Sequence, residues 1–181
     1  LDANTTASDN TAVGSNALTT VITGTRNSAL GVGALQLNTA SDNVAVGYHA
    51  LDTNAAGSEN TAVGTESMDR NTSGDSNTAV GYRALDSNTT ANNNVAIGKA
   101  ALGLNTTGAG NTAVGKNCLD ANTTADNNTA VGLDALGANT TGAANTAMGK
   151  NAGLLVTTGA SNTFIGALAG DATDDGTNNT A

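Results

Sequence analysis

The sequence predicts an all-β fold, a repeat β-solenoid wound as a parallel β-roll of 17-residue coils, and three observations predict it. The tetrad Asn-Thr-Ala-Val, followed by Gly, recurs with small variations along all 181 residues. Its Asn falls at Asn10, Asn27, Asn43, Asn60, Asn77, Asn94, Asn111, Asn128, Asn145 and Asn162, and an eleventh copy opens at Asn179. Every interval is 17 residues except Asn27 to Asn43, which is 16. The fifth position of the unit is Gly in all ten copies, from Gly14 to Gly166. The composition is the third observation: 38% of residues are hydrophobic but only 2% aromatic, with 23 Gly and no Pro. A wide core filled by large rings is excluded. Narrow units that bury little alone must stack on their neighbours.

The chain therefore reads as one array over residues 1–181. It holds a partial unit at 1–9, full units starting at 10, 27, 43, 60, 77, 94, 111, 128, 145 and 162, and a partial unit at 179–181. It opens at Leu1 in mid-repeat, as an internal piece of a longer protein would.

Positions 1 to 5 of the unit predict a short strand. Alternation places positions 2 and 4 on one face and position 3 on the other. Position 2 is usually Thr, with Val44 and Val95 as β-branched replacements. The Gly at position 5 ends the strand, where the turn needs a positive φ or a close backbone approach. Positions 8 and 9, typically Ala-Leu, supply a second buried pair on a second strand or one helical turn, with the strand preferred. Positions 12 to 17 are mostly Asn, Thr, Gly, Ala, Asp and Ser and predict a turn. The missing residue of the unit at Asn27 is expected in that turn, between Gln36 and Asp42, where a deletion costs little.

The expected interior holds the position-4 aliphatics and the position-9 leucines. Position 3 then points outward. Its residues, Ala12, Ala29, Ala45, Ala62, Ala79, Ala96, Ala113, Ala130, Ala147 and Phe164, form the expected self-association surface. Side-by-side packing around a shared axis, most simply a parallel homotrimer, follows. Phe164, with Gly153 and Gly170 in place of the position-9 Leu, marks the last two coils as the place for a change in diameter or a domain junction.

Chemistry is sparse. Six basic against 15 acidic residues give a net charge of −9, which argues against nucleic acid and anionic membrane as partners. No apolar run approaches the ~20 residues of a membrane span. His49, the only His, reads as a solvated turn residue. Cys118 and Ser67 replace Ala at position 8 and lack a visible base. Asp171, Thr173, Asp175, Gly176 and Asn179 match the start of a calcium loop without its closing Glu and read as a solvated acidic turn. The expectation is no catalytic residue, no cofactor, no metal and no enzyme activity. Asn4, Asn71, Asn88, Asn105, Asn122 and Asn139 lie in N-x-S/T contexts and are candidate glycosylation sites. The preferred reading makes them stacked turn residues, because Asn38 and Asn54 hold the same position without the acceptor motif.

The units N-V-A-V-G-Y-H-A (43–50), N-V-A-I-G-K-A-A (94–101) and N-T-F-I-G-A-L-A-G (162–170) resemble the head repeats of YadA-like trimeric autotransporter adhesins and of phage tail fibres that share the motif. The resemblance covers essentially the whole chain through one short motif per unit. It implies a left-handed roll, a tight homotrimer, and an extracellular place on a cell surface or virion. The N-T-T-G extension is longer than the adhesin units usually have. The function expected is a structural fibre or adhesin shaft that partners itself and projects a tip, with a host receptor or glycan bound elsewhere. The alternative is a regular-surface binder, an ice- or mineral-binding solenoid using the Thr11, Thr61, Thr78, Thr112, Thr129, Thr146 and Thr163 ladder, although Val44 and Val95 argue for a buried or semi-buried face.

If the units are interchangeable, deleting Asn77 to Asn93 shortens the rod by about one 4.8 Å strand spacing and leaves a cooperatively folded protein. Small-angle scattering and a melting curve check this; loss of the folded state would show that the unit is not a module.

Overall fold

The computed structural model describes residues 6–171 and 176–181, and within them the chain is a parallel β-solenoid with no helix. Ten three-residue strands stack in sequence order: β1 (Thr11–Val13), β2 (Ser28–Leu30), β3 (Val44–Val46), β4 (Thr61–Val63), β5 (Thr78–Val80), β6 (Val95–Ile97), β7 (Thr112–Val114), β8 (Thr129–Val131), β9 (Thr146–Met148) and β10 (Thr163–Ile165). Every pair is parallel and in repeat register, Ala62 opposite Ala79 and Val63 opposite Val80 for example. A further bridge, Thr163 to Thr180, carries the ladder into the next unit. The short unit at Asn27 causes no slip, since Ser28 pairs with Thr11 on one side and Val44 on the other. Its missing residue is absorbed after Asn38, whose side chain reaches the carbonyl two residues on (Ala40), where Asn71 reaches three residues on to Gly74. The expected tail of the unit takes the deletion.

The strand-ending glycines are needed on both expected grounds. Gly81 has φ +134, and a Cβ there would lie 2.6 Å from the Gly98 carbonyl oxygen. Positions 6 to 12 are neither the preferred second strand nor a helical turn. They form a run of tight turns with left-handed residues at positions 7 and 9, such as Arg83 (φ 54) and Leu85 (φ 53). These conformations direct N–H groups at neighbouring coils: Arg83 donates to the Thr65 carbonyl at 3.1 Å and Leu85 to the Ala101 carbonyl at 2.9 Å.

The interior corrects the expected facing of the strands. Ala29, Ala45, Ala62, Ala79, Ala96, Ala113, Ala130, Ala147 and Phe164 are buried in the core of the coil itself, and Ala12 packs against the same core half-buried. The position-3 row is therefore not an outward packing surface. Volume explains the inversion. One Leu from position 9 and one Ala from position 8 already fill most of a coil this thin, and only a methyl group fits opposite them. The position-4 side chains are too large for that space and lie outside, as Val13 (56% exposed) and Ile165 (57%) show.

Phe164 obeys the same constraint. A Cβ-bearing side chain at Gly170 would meet its ring at 2.3 Å, and one at Gly153 would meet it at 2.8 Å. The ring occupies space that leucines hold in the other coils, so the last two coils keep the stacking register of β9 and β10. Gly153 (φ 60) and Gly170 (φ 64) share the left-handed backbone of Leu85 and its equivalents, so Leu is conformationally allowed at both. Phe164→Ala should cost about 3–5 kcal/mol. Adding Gly153→Leu and Gly170→Leu should recover most of that loss in urea unfolding. A triple variant weaker than Phe164→Ala alone would refute the exchange of volumes.

Candidate functional site

Two regions differ from a merely solvated surface. The first is the outer face of the ten-stranded sheet. Position 2 presents Thr11, Ser28, Val44, Thr61, Thr78, Val95, Thr112, Thr129, Thr146 and Thr163, all half-buried or exposed. Position 4 presents Val13, Leu30, Val46, Val63, Val80, Ile97, Val114, Val131, Met148 and Ile165, likewise open to solvent. No charged residue occurs in either column, although the chain carries −9. With strands about 4.8 Å apart, the face is about 48 Å long, and its two columns stand about 6.6 Å apart. Tyr48 and Tyr82 at position 6 extend its exposed apolar margin. The Thr ladder lies on this outer face half-buried, with only Thr11 fully exposed, in line with the semi-buried face that Val44 and Val95 suggested.

The second region is the turn side, where positions 7 and 10 form columns of polar side chains. His49 Nδ1 lies 2.7 Å from Asp52 Oδ2. In the following coils Arg83 Nε donates to Glu66 Oε2 at 2.6 Å and stands 4.0 Å from Asp86. Asp52, Asp69 and Asp86 occupy position 10 of three successive coils. Burial raises the Asp69 pKa, and the neighbouring Asp52 and Asp86 charges add to it. His49 is therefore not an isolated turn residue: donor atoms of His49, Asp52 and Asp69 all lie within 4.8 Å of one another. The sequence did carry a signal for this, since His49 and Asp52 are three apart and Asp69 follows Asp52 by one 17-residue period. Where Ala100 and Gly103 interrupt these columns, a notch of about 290 Å³ opens between Arg83, Asp86, Leu104 and Asp120.

The remaining residues singled out in the sequence are structural. Asn71, Asn88, Asn105, Asn122 and Asn139 are fully buried, which corrects them as candidate glycosylation sites. Their amide nitrogens are already committed: Asn71 Nδ2 donates to Asn54 Oδ1 at 2.7 Å and to the Gly74 carbonyl at 3.0 Å. Asn4, Thr173 and Asp175 lie outside the described residues. Cys118 is buried with its thiol on the Ala130 carbonyl, and burial pushes its pKa to about 12, so it holds no thiolate at neutral pH. Ser67 donates to the Gly64 carbonyl at 3.0 Å.

No helix among the described residues is long and apolar enough to cross a membrane. Comparison with family models, curated proteins and solved structures finds no match to the chain. The class defined by the geometry is a parallel β-solenoid with one uncharged sheet face.

Burial raises the pKa of Asp120, and the nearby Asp134 charge raises it further. An acid with a raised native pKa binds its proton more tightly when folded. It therefore withdraws stability as pH climbs from the unfolded value through the folded one. Asp120→Asn should stabilise the protein at pH 7, and the advantage should vanish as pH falls below the ordinary carboxylate range. Urea midpoints across pH 3 to 7 check this; a pH-independent difference would refute it.

Proposed function

We propose that the chain is a length-setting segment of an extracellular fibre, a shaft that associates side by side through the outer face of its sheet. The observation that carries this reading is the unbroken apolar column from Val13 to Ile165, left in solvent by an interior that is already full. A face of about 48 Å by 10 Å, on the order of 500 Å², is as large as the largest patch of an ordinary monomer, a size at which such patches often mark interaction sites. Its occupant is a second copy of the same chain. A parallel copy has the same axial period, so each Val meets an equivalent residue at every coil, and no charge of the acidic chain is brought into the contact. Three copies around a common axis, with the position-4 columns turned inward, form a closed arrangement of the kind that the resemblance to trimeric adhesin heads implies. The resemblance to trimeric adhesin heads and tail fibres agrees with this reading, with the association surface now at positions 2 and 4 instead of position 3. No step of it requires a cofactor or catalysis.

The regular Thr ladder on the outer face favours a second reading, a regular-surface binder that meets ice or a mineral with the same face. The two exclude each other on one molecule, because a face closed in a trimer has no access to a crystal surface.

Light scattering after size exclusion should give about three times 17.5 kDa, and Val80→Arg with Val114→Arg should yield a folded monomer, because a charge would be desolvated at the contact. A wild-type chain monomeric at all concentrations refutes the fibre reading. Freezing-point depression by that monomer would establish the second reading in its place.

A further inference from the structure

We propose that His49, Asp52 and Asp69 bind a divalent transition-metal ion, with Zn²⁺ the best-matched probe, as a clip across two successive coils. The donors come from positions 7 and 10 of the unit at Asn43 and position 10 of the unit at Asn60, all within 4.8 Å of one another. Tetrahedral ligands at about 2.0 Å from zinc stand about 3.3 Å apart, so small side-chain rotations bring the set to bonding distance.

Three independent observations mark this group out from the other acidic turns. Asp52 Oδ1 is buried and has no hydrogen-bond partner, while its Oδ2 is already within 2.7 Å of the imidazole. Such an orphaned carboxylate oxygen is costly unless a cation or donor meets it. The imidazole also has a place made for it. The coil before has Gly33 at position 7, and a Cβ there would stand 3.1–3.2 Å from the His49 ring atoms. Gly occurs at this position in no other unit. Finally, the Asp69 carboxylate makes no hydrogen bond or salt bridge among the described residues, and only the more distant charges of His49 and Arg70 act on it favourably. Two stacked carboxylates offer the charge that one divalent ion neutralises. One nitrogen and two oxygens suit zinc and its neighbours, whereas calcium and magnesium prefer oxygen alone. Water completes the coordination.

The test is equilibrium dialysis of the EDTA-stripped protein against Zn²⁺ alone, with a melting curve for each sample. Expected are one zinc per chain and a raised melting temperature. His49→Asn and Asp69→Gln should each weaken binding at least tenfold. Both replacements are residues the fold already uses at those positions, in Asn16, Asn117 and Asn151, and in Gln36. Circular dichroism confirms that the variants fold, and Asp69→Gly, which copies Gly103 and Gly137 at the same position, serves if Gln does not. Asp120→Asn, outside the set, should bind as wild type. Substoichiometric zinc, binding indifferent to His49 and Asp69, or equal loss in Asp120→Asn would each overturn the site.

Discussion

A buried asparagine must find partners for its whole amide, and in this protein the partner is the same asparagine one coil away. Two such ladders run through the interior, one at position 1 along the stack and one at position 12 from Asn38 to Asn139. At position 1, Asn60 Oδ1 accepts the backbone N–H of Asn77 at 2.9 Å, and Asn60 Nδ2 donates to the Gly74 carbonyl at 2.8 Å. At position 12, Asn88 Nδ2 donates to Asn71 Oδ1 at 2.7 Å and to the Ala91 carbonyl at 3.1 Å. The position-15 carbonyl thus accepts from both ladders and ties the turn shut. None of these ladder bonds between coils exists in an isolated unit. A single coil would leave several buried polar groups unpaired, at about 1–3 kcal/mol each, which is why stacking is a condition of folding here.

The ladders also account for a backbone that would be strained elsewhere. Each coil places residues at positions 7, 9 and 17 in the left-handed region, including Leu85 and its equivalents. Such conformations cost on the order of 1 kcal/mol per residue. They recur because they aim N–H groups along the stack, as Asn93 does toward the Asp75 carbonyl at 3.1 Å. Strain and satisfaction are two sides of one geometry. The position-12 ladder ends where its chemistry ends: Val21 and Val156 replace Asn at the two extremes and are fully buried. Asn139, next to Val156, is left with a buried Oδ1 that no donor meets.

The period, the strand, the punctuating Gly and the place of the short unit were legible because each is a local or register property. The facing of the strand was not, because alternation says which residues share a face but not which face is inside. Residue volumes carry that information. Phe164 enlarges position 3 in the region where Gly153 and Gly170 shrink position 9, and such an exchange means that the two positions share a space. Position 4 accepts Val, Leu, Ile and Met without compensation, as an open site does. The His49 group was obscured for a different reason. Its members are ordinary turn residues along the chain and become a cluster only when one period is converted into one strand spacing.

The inversion of the strand changes what a fibre reading requires. An outward row of Ala permits close backbone approach but offers little apolar area, so it needs a very tight interface to hold. A row of Val, Leu, Ile and Met beside Thr offers more area per coil and tolerates a looser fit. It also explains why position 4 varies in size while position 3 varies only with its compensating glycines: one column packs inside a closed coil and the other faces outward. The same solenoid thus places its size-restricted and its size-tolerant columns on opposite faces. The interior, fixed by Asn and Ala, sets the period; the exterior, free to vary in bulk but not in charge, is the surface on which association can act. Charge is confined to the turns, and there its stacking at one coil spacing brings carboxylates together, so that Glu66 is met by Arg83 while burial and the neighbouring Asp52 and Asp86 charges raise the Asp69 pKa.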